Sequence, residues 1–300
     1  METMTIAVTG SSGLLGSALV RALRAEGHEV RRLVRREPAE PDERFWDPMR
    51  GLVDPACLEG ADAVVHLAGA GIGDRRWSEA YKRELVDSRV TGTRTLTGAL
   101  AALDGGPAAL LSASAIGFYG DTGDRPVDES APAGTGFLAG LAQRWEEATA
   151  PAEEAGLRVV RLRTGVVLSG EGGALAKVLP IFKMGAGAAL GTGRQYVSWI
   201  SLPDWVGAVR FLLARDDLSG PVNVTAPEPV TNAEYTAAIA RALHRPTMPL
   251  TTPRLALRLA LGEFAEEAVL AGQRVIPRRL LDAGYGFAHP TVGDALAAVL

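Results

Sequence analysis

Short apolar runs alternate along the first half of the chain with longer stretches of helical spacing. Met4–Thr9 is a compact apolar run that leads into glycines. Over Gly13–Glu26, Leu14, Leu15, Leu19, Val20 and Leu23 fall on one broad helical face. His28–Arg35 reads as a second strand and Ala61–Ala68 as a buried third. Ala108–Ser114 and Leu157–Leu162 are again strand-like, while Trp77–Leu103 and Phe137–Glu154 have helical spacing. Strands alternating with helices predict βαβ units, a parallel sheet and right-handed crossovers.

Past about Thr164 the pattern changes. Glycine-rich loops surround one short helix near Ala174–Met184, and Asp204–Arg215 is helical. Val222–Val224 is a short strand, and Thr231-Asn232 reads as a helix cap before Ala233–Leu243. Pro246, Pro249 and Pro253 then break the chain ahead of the apolar helix Arg254–Gly262. No repeat at a fixed period is present. The expected architecture is α/β: a Rossmann doubly wound parallel sheet with a smaller C-terminal substrate lobe. The first domain would take residues 1–164 and receive about 195–224, leaving 165–194 and 225–300 to the lobe.

Composition narrows the function. A net charge of −4 argues against a nucleic-acid grip built from bulk positive charge. The one cysteine, Cys57, cannot form an internal disulfide, so a reducing, cytoplasmic setting is expected. No apolar run reaches the roughly 18 residues of a membrane span, and no secretory leader is evident. His28, His66, His244 and His289 are scattered, so no metal site is expected.

The strongest local signal is Thr9-Gly10-Ser11-Ser12-Gly13-Leu14-Leu15-Gly16, set between the first strand and the first helix. Gly10 permits a tight turn, Gly13 lets backbone approach a pyrophosphate, and Gly16 allows close helix–strand packing. The helix N-terminus then offers free N–H groups to the phosphates. At the end of the second strand an acid would select NAD, whereas an arginine accommodates the 2′-phosphate of NADP. The segment here is Val30-Arg31-Arg32-Leu33-Val34-Arg35-Arg36, with no acid. Arg35 is the first candidate for the phosphate and Arg36 the second. Arg31 and Arg32 read as a solvated strand end. The expected cofactor is NADP(H).

With these residues in view the chain resembles an extended short-chain dehydrogenase/reductase. More narrowly, it resembles the NAD-dependent epimerase/dehydratase-like proteins close to short-chain dehydrogenase family 39U. The resemblance rests on Thr9–Gly16, His66-Leu67-Ala68-Gly69-Ala70-Gly71 and Ser88-Arg89-Val90-Thr91-Gly92-Thr93. It rests further on Ser112-Ala113-Ser114-Ala115-Ile116-Gly117-Phe118-Tyr119-Gly120, Arg163-Thr164-Gly165-Val166-Val167-Leu168 and Pro277-Arg278-Arg279-Leu280-Leu281. It implies that Leu67, Ala68, Gly69 and Ala70 pass beside the dinucleotide, with Arg89 and Ser112 among the cofactor-binding residues. It also implies a homodimer. His66 by itself reads as a satisfied buried histidine.

The family's catalytic pattern breaks in this sequence. Ser114 fits the position of the serine that polarises the substrate oxygen. Phe137 and Leu141 stand where the resemblance places the proton-transferring tyrosine and its lysine, and Arg89 stands where relatives carry asparagine. Losing a general acid/base lowers rates by about 10²–10⁴-fold, so other groups can still support chemistry. Tyr119 is one candidate donor, although a lone aromatic there more often packs the loop. Lys82 and Arg83 read as a solvated helix face. In the lobe, Gln195 and Trp199 are candidate substrate residues. Asp204 reads as a helix N-cap, and Lys177 and Lys183 face either an anionic substrate or water.

These features imply an NADP(H)-dependent oxidoreductase acting on a small carbonyl or hydroxyl compound. The alternatives are a non-catalytic NADP(H) sensor and a nucleotide-sugar epimerase.

Overall fold

The computed structural model describes residues 3–300. In chain order the elements begin β1 (Thr5–Thr9), α1 (Leu14–Ala25), β2 (Glu29–Val34), β3 (Glu43–Asp47), β4 (Leu52–Val53), β5 (Ala63–His66) and α2 (Glu79–Ala101). They continue with β6 (Ala109–Ala115), β7 (Pro126–Val127), α3 (Phe137–Glu147), α4 (Ala150–Glu154), β8 (Arg158–Thr164), β9 (Val166–Leu168) and α5 (Gly173–Lys183). The remainder comprises β10 (Tyr196–Val197), β11 (Trp199–Ser201), α6 (Leu202–Leu213), β12 (Gly220–Val224), β13 (Val230–Thr231), α7 (Asn232–Ala242), α8 (Arg254–Leu261), β14 (Arg274–Val275), α9 (Arg278–Asp282) and α10 (Val292–Val299).

Eight strands form the main sheet, in the order β12-β8-β6-β5-β1-β2-β3-β4. β1 lies parallel to both β2 and β5, so the strand order reverses there and a crevice opens beyond its C-terminal end. β1 is apolar and buried because helices cover parallel sheets on both faces. β3 was not anticipated: Arg44 and Asp47 hide its alternation, yet Trp46 between them is 1% exposed. Trp46 packs with Leu33, Leu58, Val64, Leu96 and Leu110 in the core of the sheet domain. The helix expected over Phe137–Glu154 is interrupted after Glu147. Pro151 has no N–H to donate to the Glu147 carbonyl, and its ring crowds that carbonyl. Thr149 Oγ1 instead donates to the Glu146 carbonyl at 2.7 Å.

The chain divides into two compact units. The first runs to Ser114 and adds Gln143–Leu162 and Val209–Pro221; the second takes Ala115–Ala142, Arg163–Ala208 and Val222–Leu300. Residues 115–142 therefore belong with the lobe. The reason is local: β7 pairs with β14, and the Thr122 N–H donates to the Gly272 carbonyl. The second unit has its own core of Leu168, Leu175, Phe182, Trp199, Ile239 and Leu296. Among the described residues, no helix is long and apolar enough to cross a membrane.

Candidate functional site

The glycine loop follows β1 as the spacing requires. Gly10 adopts φ +67°, and a Cβ there would lie 2.7 Å from the Leu67 carbonyl carbon. A Cβ on Gly16 would lie 2.2 Å from the Gly10 carbonyl oxygen, so α1 sits directly on the turn. Gly13 caps α1 without any side-chain hydrogen bond, and the helix has no acid in its first turn. Among the described residues the leading N–H groups of α1 are thus without a side-chain acceptor, an arrangement suited to phosphate. Ser11 is buried within the turn, whereas Ser12 is exposed beside Leu14 and Leu15.

Thr9 joins this loop to the one after β5. Its Oγ1 accepts the N–H groups of Leu67 and Ala68 at 3.1 and 3.2 Å. It also meets His66 Nδ1 at 2.7 Å, while His66 Nε2 meets Thr93 Oγ1 at 3.1 Å. With both acceptor positions of Thr9 taken, its proton goes to Nδ1, which places the histidine proton on Nε2. His66 is fully buried, and burial pulls its pKa down to about 4. It is a neutral strut between β1, β5 and α2.

The arginine segment resolves into one free side chain and three tied ones. Arg31 donates to the Ala56 and Glu59 carbonyls, and Arg32 grips Asp42 at 2.5 and 2.9 Å. These two are therefore structural ties rather than the solvated strand end expected. Arg36 makes a two-pronged pair with Glu43 at 2.5 and 2.8 Å. Arg35, just past β2, is exposed and has no hydrogen bond or ion pair among the described residues.

Glu43 was missed because β3 was. Its buried carboxylate also accepts the Ala39 and Glu40 N–H groups, at 2.8 and 3.3 Å, and so shapes the turn that follows Arg35. The Arg36 hydrogen bond, then that from Ala39, holds its carboxyl below the usual glutamate range. The stability it contributes is present above the unfolded pKa of about 4.3 and is lost as pH falls below it. Acid unfolding of Glu43→Gln should accordingly show a flatter pH dependence than wild type below about pH 4.3; an unchanged profile would remove Glu43 from that role.

The serine strand differs from expectation. Ser112 Oγ is buried and has no hydrogen-bond partner among the described residues. Ser114 is also buried, and its hydroxyl donates to Glu146 Oε1 of α3 at 2.7 Å. Nothing in the helical spacing of 137–154 signals that Glu146 turns inward.

Several lobe expectations are corrected. Tyr119 is 3% exposed, donates to Asn223 Oδ1 at 2.7 Å and accepts from Arg163 Nη1 at 2.9 Å. Burial pushes its pKa up to about 12. With its proton committed to Asn223, Tyr119 is a packing residue and not a proton donor. Trp199 is fully buried in the lobe core, its indole N–H donating to the Glu228 carbonyl, so it cannot line a substrate pocket. The Gln195 amide donates to the Leu190 and Val269 carbonyls, which makes it a loop tie.

Asp204 lies inside the first turn of α6, and the hydroxyl facing its N–H is that of Ser201. Asp204 instead accepts the Ala288 and His289 N–H groups at 2.7 and 2.9 Å. Lys177 and Lys183 are exposed on α5, and Lys82 pairs with Glu79 on α2 beside exposed Arg83.

Where the tyrosine and lysine would stand, Phe137 opens α3 and Leu141 is buried one turn on. Glu267, which the sequence did not single out, holds the Leu138 N–H at 3.1 Å. Among the described residues no cluster of histidine, cysteine, aspartate or glutamate could hold a metal ion.

Comparison with known proteins agrees with this arrangement. Residues 6–225 match the NAD dependent epimerase/dehydratase family, and residues 252–299 match a domain of unknown function, DUF1731. An epimerase family protein of Mycobacterium bovis is 55% identical over 296 residues, covering 99% of this chain and 97% of that protein. The crystal structure of the human epimerase family protein SDR39U1 with NADPH superposes with a TM-score of 0.90 at 32% identity, covering 99% of both chains. A nucleoside-diphosphate sugar epimerase from Corynebacterium glutamicum gives 0.83 at 38% identity, over 100% of this chain and 58% of that one. A glycine turn at the sheet's reversal point, an uncapped helix facing it and these matches together place the chain in the NAD-dependent epimerase/dehydratase family, within the extended short-chain dehydrogenases/reductases.

Proposed function

We propose that this protein binds NADP(H) and uses it as an oxidoreductase on a small carbonyl or hydroxyl compound. The observation that carries the reading is Arg35: an exposed guanidinium at the end of β2 with no partner among the described residues, where a 2′-phosphate would be recognised. The uncapped start of α1 supplies donors for the pyrophosphate. The human relative that superposes over its whole length was crystallised with NADPH, which supports the same choice.

When bound, such a cofactor supplies hydride chemistry. The chain's own part is to cradle the pyrophosphate on Gly10–Gly16, to hold the 2′-phosphate with Arg35 and to let the dinucleotide pass along the exposed backbone of Gly69. Ser114 and Glu146 form a buried hydroxyl–carboxylate pair, in which Ser114 orients through Glu146. An epimerase reaction on a nucleotide sugar ranks lower, because Phe137 has no proton to exchange with a sugar hydroxyl.

The test is a fluorescence titration. Arg35→Ala should weaken NADPH binding about 10- to 100-fold, as expected for losing charge-assisted hydrogen bonds to a phosphate, and leave NADH binding unchanged. Equal losses for both cofactors would sink the assignment. Two observations favour a second reading, that of a cofactor-binding sensor: Ser114 gives its proton to Glu146, and Tyr119 gives its proton to Asn223. NADPH that binds but is oxidised with no member of a broad carbonyl library, while shifting the protein's oligomeric state, would decide for the sensor.

A further inference from the structure

β6 carries Ser114 to the edge of the sheet where the crevice opens. Its register with β5 sets Ser112 beside His66, the last residue of β5. Ser114 therefore stands just past the end of β5, at the C-terminal edge from which the loop beginning at Leu67 departs. Ligands of open α/β sheets bind outside that edge. The Ser114 hydroxyl donates to Glu146 Oε1 at 2.7 Å, and both residues are buried, at 4% and 9% exposure. Among the described residues no donor reaches the lone pairs of Ser114 Oγ.

The place of Glu146 is fixed from two sides. Its neighbour Trp145 is buried, and the Trp145 indole N–H donates to Thr93 Oγ1 of α2 at 3.1 Å. The ring of Trp145 also lies 4.9 Å from the guanidinium carbon of Arg89, again on α2. Beyond α3, Thr149 Oγ1 holds the Glu146 carbonyl at 2.7 Å. These ties set the rotation of the end of α3 and present the Glu146 carboxylate to β6. A hydroxyl has one proton and two acceptor positions. A hydrogen bond to a carboxylate is about twice as strong as one to a neutral oxygen, so a carbonyl ligand does not win the Ser114 proton from Glu146. What remains for a ligand is the acceptor side of Oγ. A ketone brings only acceptors and would meet it lone pair to lone pair, whereas an alcohol brings a proton.

We propose that Glu146 is a positioning residue that turns Ser114 into an acceptor, so that the crevice selects a substrate presenting a hydroxyl over its carbonyl counterpart. This rests on the oxidoreductase reading above and chooses one side of it, the alcohol. The serine that polarises a substrate oxygen in the family resemblance is here wired with the opposite polarity.

Ligand-observed saturation-transfer NMR titrations on the cofactor-free full chain test it, with cyclohexanol against cyclohexanone and menthol against menthone as matched probes. Wild type should bind each alcohol about 3- to 10-fold more tightly than its ketone, the worth of one hydrogen bond. Glu146→Leu frees the Ser114 proton and should abolish the preference, chiefly by a gain in ketone affinity. Glu146→Gln keeps an oxygen that accepts the same proton and should keep the preference. Ser114→Ala should bring the alcohol down to the affinity of the ketone. A lowered Tm in Glu146→Leu with equal losses for alcohol and ketone, the signature of a purely structural glutamate, would overturn the proposal. So would ketones bound as tightly as alcohols by wild type, or a wild type that takes none of the probes, since Ser114 would then face no ligand. An NADPH titration run alongside separates the two readings: wild-type protein that binds no NADPH would overturn the cofactor reading, while the probe preference still decides this one.

Discussion

Replacing Gly16 by alanine is expected to lower Tm by roughly 6–12 °C and to weaken NADPH binding more than 100-fold. The added Cβ would lie 2.2 Å from the Gly10 carbonyl oxygen and 2.8 Å from Ser11 Cα. Both are backbone atoms, so no rotamer change relieves the overlap. The turn or the helix must move, at about 3 kcal/mol for overpacking of this kind. Displacing α1 also takes its first N–H groups away from the pyrophosphate.

Gly13 provides the contrast. It has φ −76° and ψ 172°, open to any residue, and its Cβ would meet only the Gly10 carbonyl oxygen at 3.4 Å. Gly13→Val should therefore keep the wild-type Tm and still lose NADPH, because the new side chain projects where the phosphate approaches. Differential scanning fluorimetry and cofactor titration on the two variants separate the roles. If Gly13→Val binds NADPH normally, the turn does not receive the pyrophosphate.

The same turn shows what could be read from the chain in advance. The strand–glycine–helix unit was legible because its physics is local: an apolar run, a positive-φ glycine and a helical stripe occur within Thr5–Ala25. The place of Arg35 just past β2 was legible for the same reason, since the strand's pairing to β1 follows from the alternation. Residues whose roles arise from distant pairing were not. Glu43 becomes a buried clamp only because β3 joins β2, and Glu146 becomes a partner of Ser114 only because α3 rotates that position inward. Trp199 was a candidate for substrate contact and Tyr119 for proton donation, with loop packing the preferred reading of Tyr119; both are enclosed by partners 29 or more residues away. The lobe was the least legible part because its strands are two or three residues long, too short for any period to show.

Mild acid is expected to weaken the fold through His66, with about 3 kcal/mol lost between pH 6.5 and pH 4. The sign follows from where the proton binds. In the folded protein the imidazole is neutral down to about pH 4, because it is fully buried. In the unfolded chain it protonates near pH 6.5. Above pH 6.5 both states are neutral and the stability is complete. As pH falls through the window between the two values the unfolded chain takes up a proton that the folded chain refuses, so stability declines toward pH 4 with a slope of up to about 1.4 kcal/mol per pH unit. Urea melts of wild type against His66→Gln measure this directly. Glutamine can accept from Thr9 and donate to Thr93 but carries no titrating group, so its stability should be nearly flat from pH 6.5 to 4.5. Parallel curves for the two proteins would mean that the imidazole titrates alike in both states. Cofactor binding by the folded protein is spared in this window, because the ring stays neutral and Thr9 keeps fixing the Leu67 and Ala68 N–H groups of the second loop. His66 should therefore give the NADPH affinity of the folded protein no pH dependence between pH 6.5 and 4.5, and wild type and His66→Gln should bind NADPH with the same pH profile there.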